Sequence, residues 1–228
     1  MRVLACVLLA FAATTAAAEE LPTFDIHFVV LTRNAGAQRV ATLDQLRREV
    51  DILNSFFVSA TREPLVRFRF KSATLFQESQ KSGCKLKDLG DNPVPLDTSR
   101  AAELFNACDD PNIRDPRAIN FYIYDAYAPV SGFKDATGHG RRNSDRPFVF
   151  LDWQRLNHGD QAAEEHEMGH AFGLEHICVP GATRRTPTNI MSSADCGKGS
   201  GGLRNLGFNE QQAATVLRNA QKIRDRLR

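Results

Sequence analysis

The chain has 228 residues, enough for one domain with a complete hydrophobic core. Its 29 lysines and arginines stand against 27 acidic residues, a net charge of +2. That near balance gives no reason to expect nucleic acid or an anionic membrane surface as a partner.

Met1 to Ala18 reads as a targeting segment: Arg2, an apolar run from Val3 to Ala13, and Ala16-Ala17-Ala18 before Glu19. Its roughly 16 apolar or small residues fall short of the ~20 needed to span a bilayer, and no basic stop-transfer flank follows. The expectation is export and removal of residues 1–18. Residues 19–228 are then a single secreted domain, extracellular or periplasmic, with no membrane association and acting as a monomer. Four cysteines remain, Cys84, Cys108, Cys178 and Cys196. An even count in an exported chain suggests two disulfides with three possible pairings. The local pairs Cys84–Cys108 and Cys178–Cys196 are favoured. Each closes a loop of about 20 residues and contributes ~3 kcal/mol by restricting the unfolded chain.

Phe24 to Leu31 is dense in β-branched and aromatic residues and predicts a strand, with His27 a structural histidine inside it. Thr42 predicts the N-cap of a helix over 43–59, with Leu43, Leu46, Val50, Leu53 and Phe57 as its apolar stripe. Leu65 to Leu75 alternates as a half-buried strand does. Residues 76–117 form a long irregular insertion with a short helix near 99–106. Within it Asp109, Asp110, Asn112 and Asp115 offer oxygen ligands for calcium, but their spacing matches no defined loop, and a solvated turn is the favoured reading. Ala118 to Asp125 and Pro147 to Asp152 predict strands. The Gly- and Arg-rich 126–146 between them is a loop with room for a short edge strand. His139 and His158 read as surface residues.

Asp160 caps the helix that carries the chemistry, predicted over Gln161 to Phe172. His166 to His176 reads H-E-M-G-H-A-F-G-L-E-H. His166 and His170, four apart, lie about 40° and ~6 Å from one another on a helix, so both imidazoles leave one face and meet one ion. Glu167 points about 100° away, beside the ion rather than on it. His176 would face the far side of a continuous helix. Gly173 adopts the left-handed conformation that ends helices and lets the chain return His176 to the other two. Three neutral imidazoles leave a tetrahedral zinc one open position for water, whose pKa falls toward ~7 so that Glu167 can take its proton. The H-E-x-x-H core alone arises by chance in roughly one such chain in a hundred, and the added Gly and His lower that several-hundred-fold. A glutamate-ligand site is poorly supplied, since only Glu175 and Glu210 follow His170. Cys178 as a fourth ligand would close the site against catalysis. Val179 to Gly202 is loop. Asn209 and Gln212 start a last helix to about Arg226, with Ala213, Val216, Leu217 and Ile223 facing inward.

H-E-x-x-H-x-x-G-x-x-H followed by Thr188-Asn189-Ile190-Met191-Ser192 resembles the metzincin zinc metallopeptidases. The resemblance implies that Met191 forms a hydrophobic floor beneath the zinc. It also implies that the segment carrying Arg184 and Arg185 walls the pocket for the residue after the cut, and that protein or peptide is the substrate of an endopeptidase. Ser193 stands where a zinc-associated Tyr is often found. The Asn189-Ile190-Met191 turn and the F-N-E-Q-Q start of the last helix are similar to the pappalysin-like branch, and H-A-F-G-L-E-H is similar also to the matrixins. The order of elements indicates an α/β fold: a mixed, mostly parallel twisted sheet with an active-site helix and a C-terminal helix. The rival reading is an exported metal-binding or adhesion module of that fold. Glu167 separates the two, because a module that only binds has no use for it.

Overall fold

The sheet that carries the site begins with Thr23–Val30 (β1). In this computed structural model the described residues are 20–32, 34–75, 108–124, 138–140, 148–156, 163–193 and 200–227. The targeting segment, the helix near 99–106, Cys84, Cys196, His158 and Asp160 all lie outside them. Ala35–Val40 (α1), Leu43–Phe56 (α2), Arg67–Thr74 (β2), Ile119–Tyr124 (β3), Gly138–Gly140 (β4) and Phe148–Asp152 (β5) come next. Ala163–Ala171 (α3) and Glu210–Arg226 (α4) complete the order. Sheet order is β2-β1-β3-β5-β4. The first four of these run parallel, and β4 pairs antiparallel with β5 at the edge. The fold is therefore the mixed, mostly parallel α/β sheet that the order of elements indicates. Ile26, Phe28, Ile119, Phe121, Val149 and Leu151 are buried in neighbouring central strands. Val29, Tyr122 and Phe150, on the opposite face, are buried too, as in a parallel sheet covered on both faces.

The helices follow their caps. Thr42 Oγ1 accepts from Gln45 N–H at 3.2 Å, and Leu46, Val50 and Leu53 are buried. Two expectations need correction. Leu43, the first residue of α2, is 42% exposed. The helix also ends at Phe56 and not at 59: Val58 and Ser59 leave it to bridge Pro64 and Phe208, so tertiary pairing overrides local propensity. α1, unforeseen from the sequence, starts where Asn34 Oδ1 accepts from Gly36 N–H at 2.8 Å. In α4 the Asn209/Gln212 capping box is complete, and Val216, Ala220 and Ile223 are buried. Leu217, expected inside, is 45% exposed. It lies about 100° around the helix from Val216, off the stripe that Ala220 and Ile223 continue.

His27 is a structural residue. Nε2 donates to Asn112 O at 3.0 Å, which leaves Nδ1 to accept from Ser72 Oγ at 2.9 Å. Burial holds its pKa below the ordinary 6.5. The acidic 109–115 segment is taken up by its own turn. Asp110 Oδ1 accepts from Asn112 N–H at 2.9 Å, and Asp115 pairs with Lys71 at 2.6 Å.

Candidate metal centre

α3 sits on β4 and β5 and is pinned at its C-terminal end. Phe172 packs edge-on against Phe24 at 5.3 Å and tilted against Phe57 at 5.3 Å, and its carbonyl accepts from Asn219 Nδ2 of α4 at 2.8 Å. Each such aromatic pair contributes roughly 0.5–1.5 kcal/mol beyond burial. Phe172 itself is the cap rather than the last helical residue. Gly173 follows at φ 88°. Its N–H reaches His170 O at 2.8 Å, and Leu174 N–H reaches Gly169 O at 3.0 Å. These two bonds and the left-handed glycine make a Schellman close, and the chain reverses.

The reversal brings His176 Nε2 to 3.1 Å from His166 Nε2 and 3.0 Å from His170 Nε2. His166 and His170 are buried and His176 half-buried, so the group is approached from the His176 side. Backbone carbonyls fix two of the rings. His166 Nδ1 lies 2.8 Å from Ile190 O, and His170 Nδ1 lies 2.7 Å from Leu174 O. A carbonyl only accepts, so each Nδ1 carries the proton and each Nε2 presents a lone pair. His176 can offer one proton at most to the two lone pairs facing it. A cation satisfies all three at once. Zinc with bonds of 2.0–2.1 Å at tetrahedral angles spaces its ligands by about 3.3 Å, close to the separations here. The three histidines are the single cluster among the described residues able to hold a metal. Cys178 is outside that cluster. Burial first, then the charge of Arg204, holds the His166 pKa down to about 2, so it stays neutral and ready to ligate.

Glu167 is buried beside His166 on the same helix. Met191 is fully buried, and a Cβ added at Gly169 would run into its sulfur. The Met191 turn is itself braced: Asn189 Oδ1 accepts from Met191 N–H at 2.8 Å, and Ile177 N–H donates to Met191 O at 2.9 Å. One turn therefore props the helix under the histidines and, through Ile190 O, sets the His166 tautomer. Met191→Ala should cost roughly 2–5 kcal/mol through the cavity it leaves, and Gly169→Ala should displace the sulfur. Urea midpoints and zinc affinity test both. A Met191→Ala protein as stable as the parent would show that the turn supports nothing.

Arg184 and Arg185 are exposed, on a turn closed by Thr183 N–H to Thr186 Oγ1 at 2.9 Å. A different arginine reaches the Met191 turn: Arg204 donates from Nε to Ser192 O at 2.8 Å. Neither Arg204 nor the two tautomer-setting carbonyls is signalled by any motif. A second acidic residue of α3 stands one position before the first histidine. Glu165 is wholly buried, and among the described residues no other residue hydrogen-bonds its carboxyl oxygens. Burial first, then the neighbouring Glu49 carboxylate of α2, raises its pKa to about 8.

No protein-family model matches the chain, and no curated protein matches it in sequence. Among solved structures it is similar to archaemetzincin from Methanopyrus kandleri. The identity is 16%, over 88% of this chain and 97% of that one, with a TM-score of 0.45. It is similar also to archaemetzincin from Archaeoglobus fulgidus complexed with malonate, at 13% identity, over 84% of this chain and 99% of that one, with a TM-score of 0.38. What the site can do follows from its own residues.

Proposed function

We propose that the protein is a secreted zinc endopeptidase of metzincin type that hydrolyses peptide bonds in proteins. One observation carries this reading: three imidazoles converge, two with lone pairs fixed by backbone carbonyls, with Glu167 adjacent on the same helix. His166, His170 and His176 would hold zinc, which when bound supplies Lewis acidity to a peptide carbonyl and to a water. Glu167 takes the water's proton on its carboxylate and hands it to the leaving nitrogen. β4, antiparallel at the sheet edge beside α3, offers backbone groups to an extended substrate. The Asn189-Ile190-Met191 turn and the capped α4 favour the pappalysin-like branch.

Export through Met1–Ala18 belongs to the same proposal, as do monomeric action and the pairings Cys84–Cys108 and Cys178–Cys196. Cys108 and Cys178 are disulfide-bonded, which supports the pairings. The second pairing would enclose the Met191 turn.

The test is casein hydrolysis that stops with a chelator and returns with zinc. A zinc-loaded protein that cleaves no protein or peptide would be a binding module instead. Acid should strip the metal, because protons and zinc compete for the same nitrogens. The same acid weakens the metal-free fold. His166 has its folded pKa depressed, so its contribution to stability is present above the unfolded value of 6.5 and is lost as pH falls. The expected slope is about 1.4 kcal/mol per pH unit for that group. Zinc occupancy measured by mass spectrometry should be full near pH 7 and fall in acid, later than for free imidazoles because His166 is held low. Occupancy that persists in the acid-unfolded chain would exclude three histidine ligands.

A further inference from the structure

α4 buries one stripe, Gln212, Val216, Asn219, Ala220 and Ile223, and two of its members are polar amides. A buried amide costs stability unless it is bonded, so each of the two calls for a reason. Gln212 and Asn219 lie about two turns apart on one face of the helix. Asn219 Nδ2 donates to Phe172 O at 2.8 Å, which fixes α4 against the end of the helix that carries His166 and His170. Gln212 completes the capping box with Asn209. Its backbone N–H donates to Asn209 Oδ1 at 2.9 Å, and its Oε1 accepts from Asn209 N–H at 3.0 Å.

A cap needs no more than that, yet the same Gln212 Oε1 also accepts from Asn189 Nδ2 at 2.8 Å, 23 residues away in the chain. Its own Nε2 is buried and has no hydrogen-bond partner among the described residues. The side chain is thus turned wholly to accepting, at the expense of its donor. Asn189 uses both ends of its amide. Nδ2 donates also to Gly207 O at 2.9 Å, and Oδ1 accepts from Met191 N–H at 2.8 Å. Met191 N–H and Ile190 C=O belong to one planar peptide unit, so the bond that holds the N–H also aims the carbonyl. Ile190 O lies 2.8 Å from His166 Nδ1. A continuous chain of bonds therefore runs from the start of α4 to the first of the three histidines.

We infer that Gln212 is a positioning residue of the metal centre: acting through Asn189, it holds the Ile190 carbonyl that orients the His166 ring. The inference rests on the zinc-site reading. Because Asn219 already ties α4 to the end of α3, Gln212 fixes the Met191 turn relative to the helix that carries two of the histidines. Partners that orient a ligating imidazole through its other nitrogen tune metal affinity.

The experiment measures zinc affinity at about pH 7 by competition with a chromogenic chelator. Gln212→Met keeps the shape of the side chain and removes the acceptor. It should bind zinc about tenfold more weakly, the lower end of what outer partners of metal ligands are worth. Gln212→Glu keeps the acceptor and should bind zinc as the parent does. Ile223→Val loosens α4 without touching the chain of bonds, so it should lower the melting temperature and leave zinc affinity unchanged. In the metal-free protein, the ring-nitrogen chemical shifts of His166 should report one tautomer in the parent and in Gln212→Glu, and a mixture in Gln212→Met. If Gln212→Met does not fold, Gln212→Ala decides, since it admits water to the same donors without fixing them. Parental zinc affinity in the variant that lacks the acceptor overturns the inference. So does a loss that Gln212→Glu shares or that Ile223→Val reproduces. In each of these cases a parent that binds zinc and cleaves peptide leaves the peptidase reading standing. A parent that takes up no zinc removes both.

Discussion

Glu167→Ala should keep zinc and fold while turnover falls by about 10²–10⁴, the usual worth of a general base. The separation of the two readouts follows from geometry. The three nitrogens within reach of one another belong to His166, His170 and His176, and Glu167 is not among the ligand atoms. Its carboxylate is buried beside the first ligand, where proton transfer is its available role. Metal content by mass spectrometry and hydrolysis of a quenched peptide should therefore diverge in this variant. Near-normal proteolysis would remove Glu167 from the mechanism. Joint loss of zinc and activity would make it a support for the metal site instead. Glu167→Gln, nearly isosteric, should behave like the alanine variant in rate and keep zinc more securely still.

The second large effect is expected at Glu165, one residue before the first ligand. The folded chain holds a carboxyl there whose pKa lies near 8, against 4.5 in the unfolded chain. A raised folded pKa has a definite sign. The protonated carboxyl is accommodated in full below pH 4.5, and stability is progressively lost as pH rises from there through 8. At pH 8 the cost reaches roughly 3–5 kcal/mol, a large part of a domain's net stability. Glu165→Gln removes the ionisation and keeps the shape. It should raise the melting temperature markedly at pH 8 and change it little at pH 4.5. His27 and His166 work in the opposite direction below pH 6.5, but both proteins share them, so the difference isolates Glu165. A difference that does not vary with pH would mean that Glu165 is not buried as a neutral acid. Burial and the Glu49 carboxylate both raise this pKa.

The chain itself determined the ligand set. His166, His170 and His176 follow from helical spacing and from one glycine placed to reverse the chain, and Gly173 takes the left-handed conformation that this demands. Local rules sufficed because the whole construction spans eleven residues. The caps Thr42 and Asn209 and the buried parallel strands were legible for the same reason: each depends on neighbours in sequence or on an unbroken apolar run.

What failed to show in the sequence depends on distant partners. Leu43 and Leu217 fit an apolar stripe, yet both are exposed, because a stripe does not say where the opposing surface ends. Val58 and Ser59 left the helix for bridges to Pro64 and Phe208. The tautomers of His166 and His170 are set by backbone carbonyls, which every residue possesses and no motif marks. Arg204 and Glu165 look like ordinary surface charges in a list of residues. Only packing places one against Ser192 O and buries the other beside Glu49. A charge acquires its meaning from the dielectric and the partners around it, and both are properties of the folded chain.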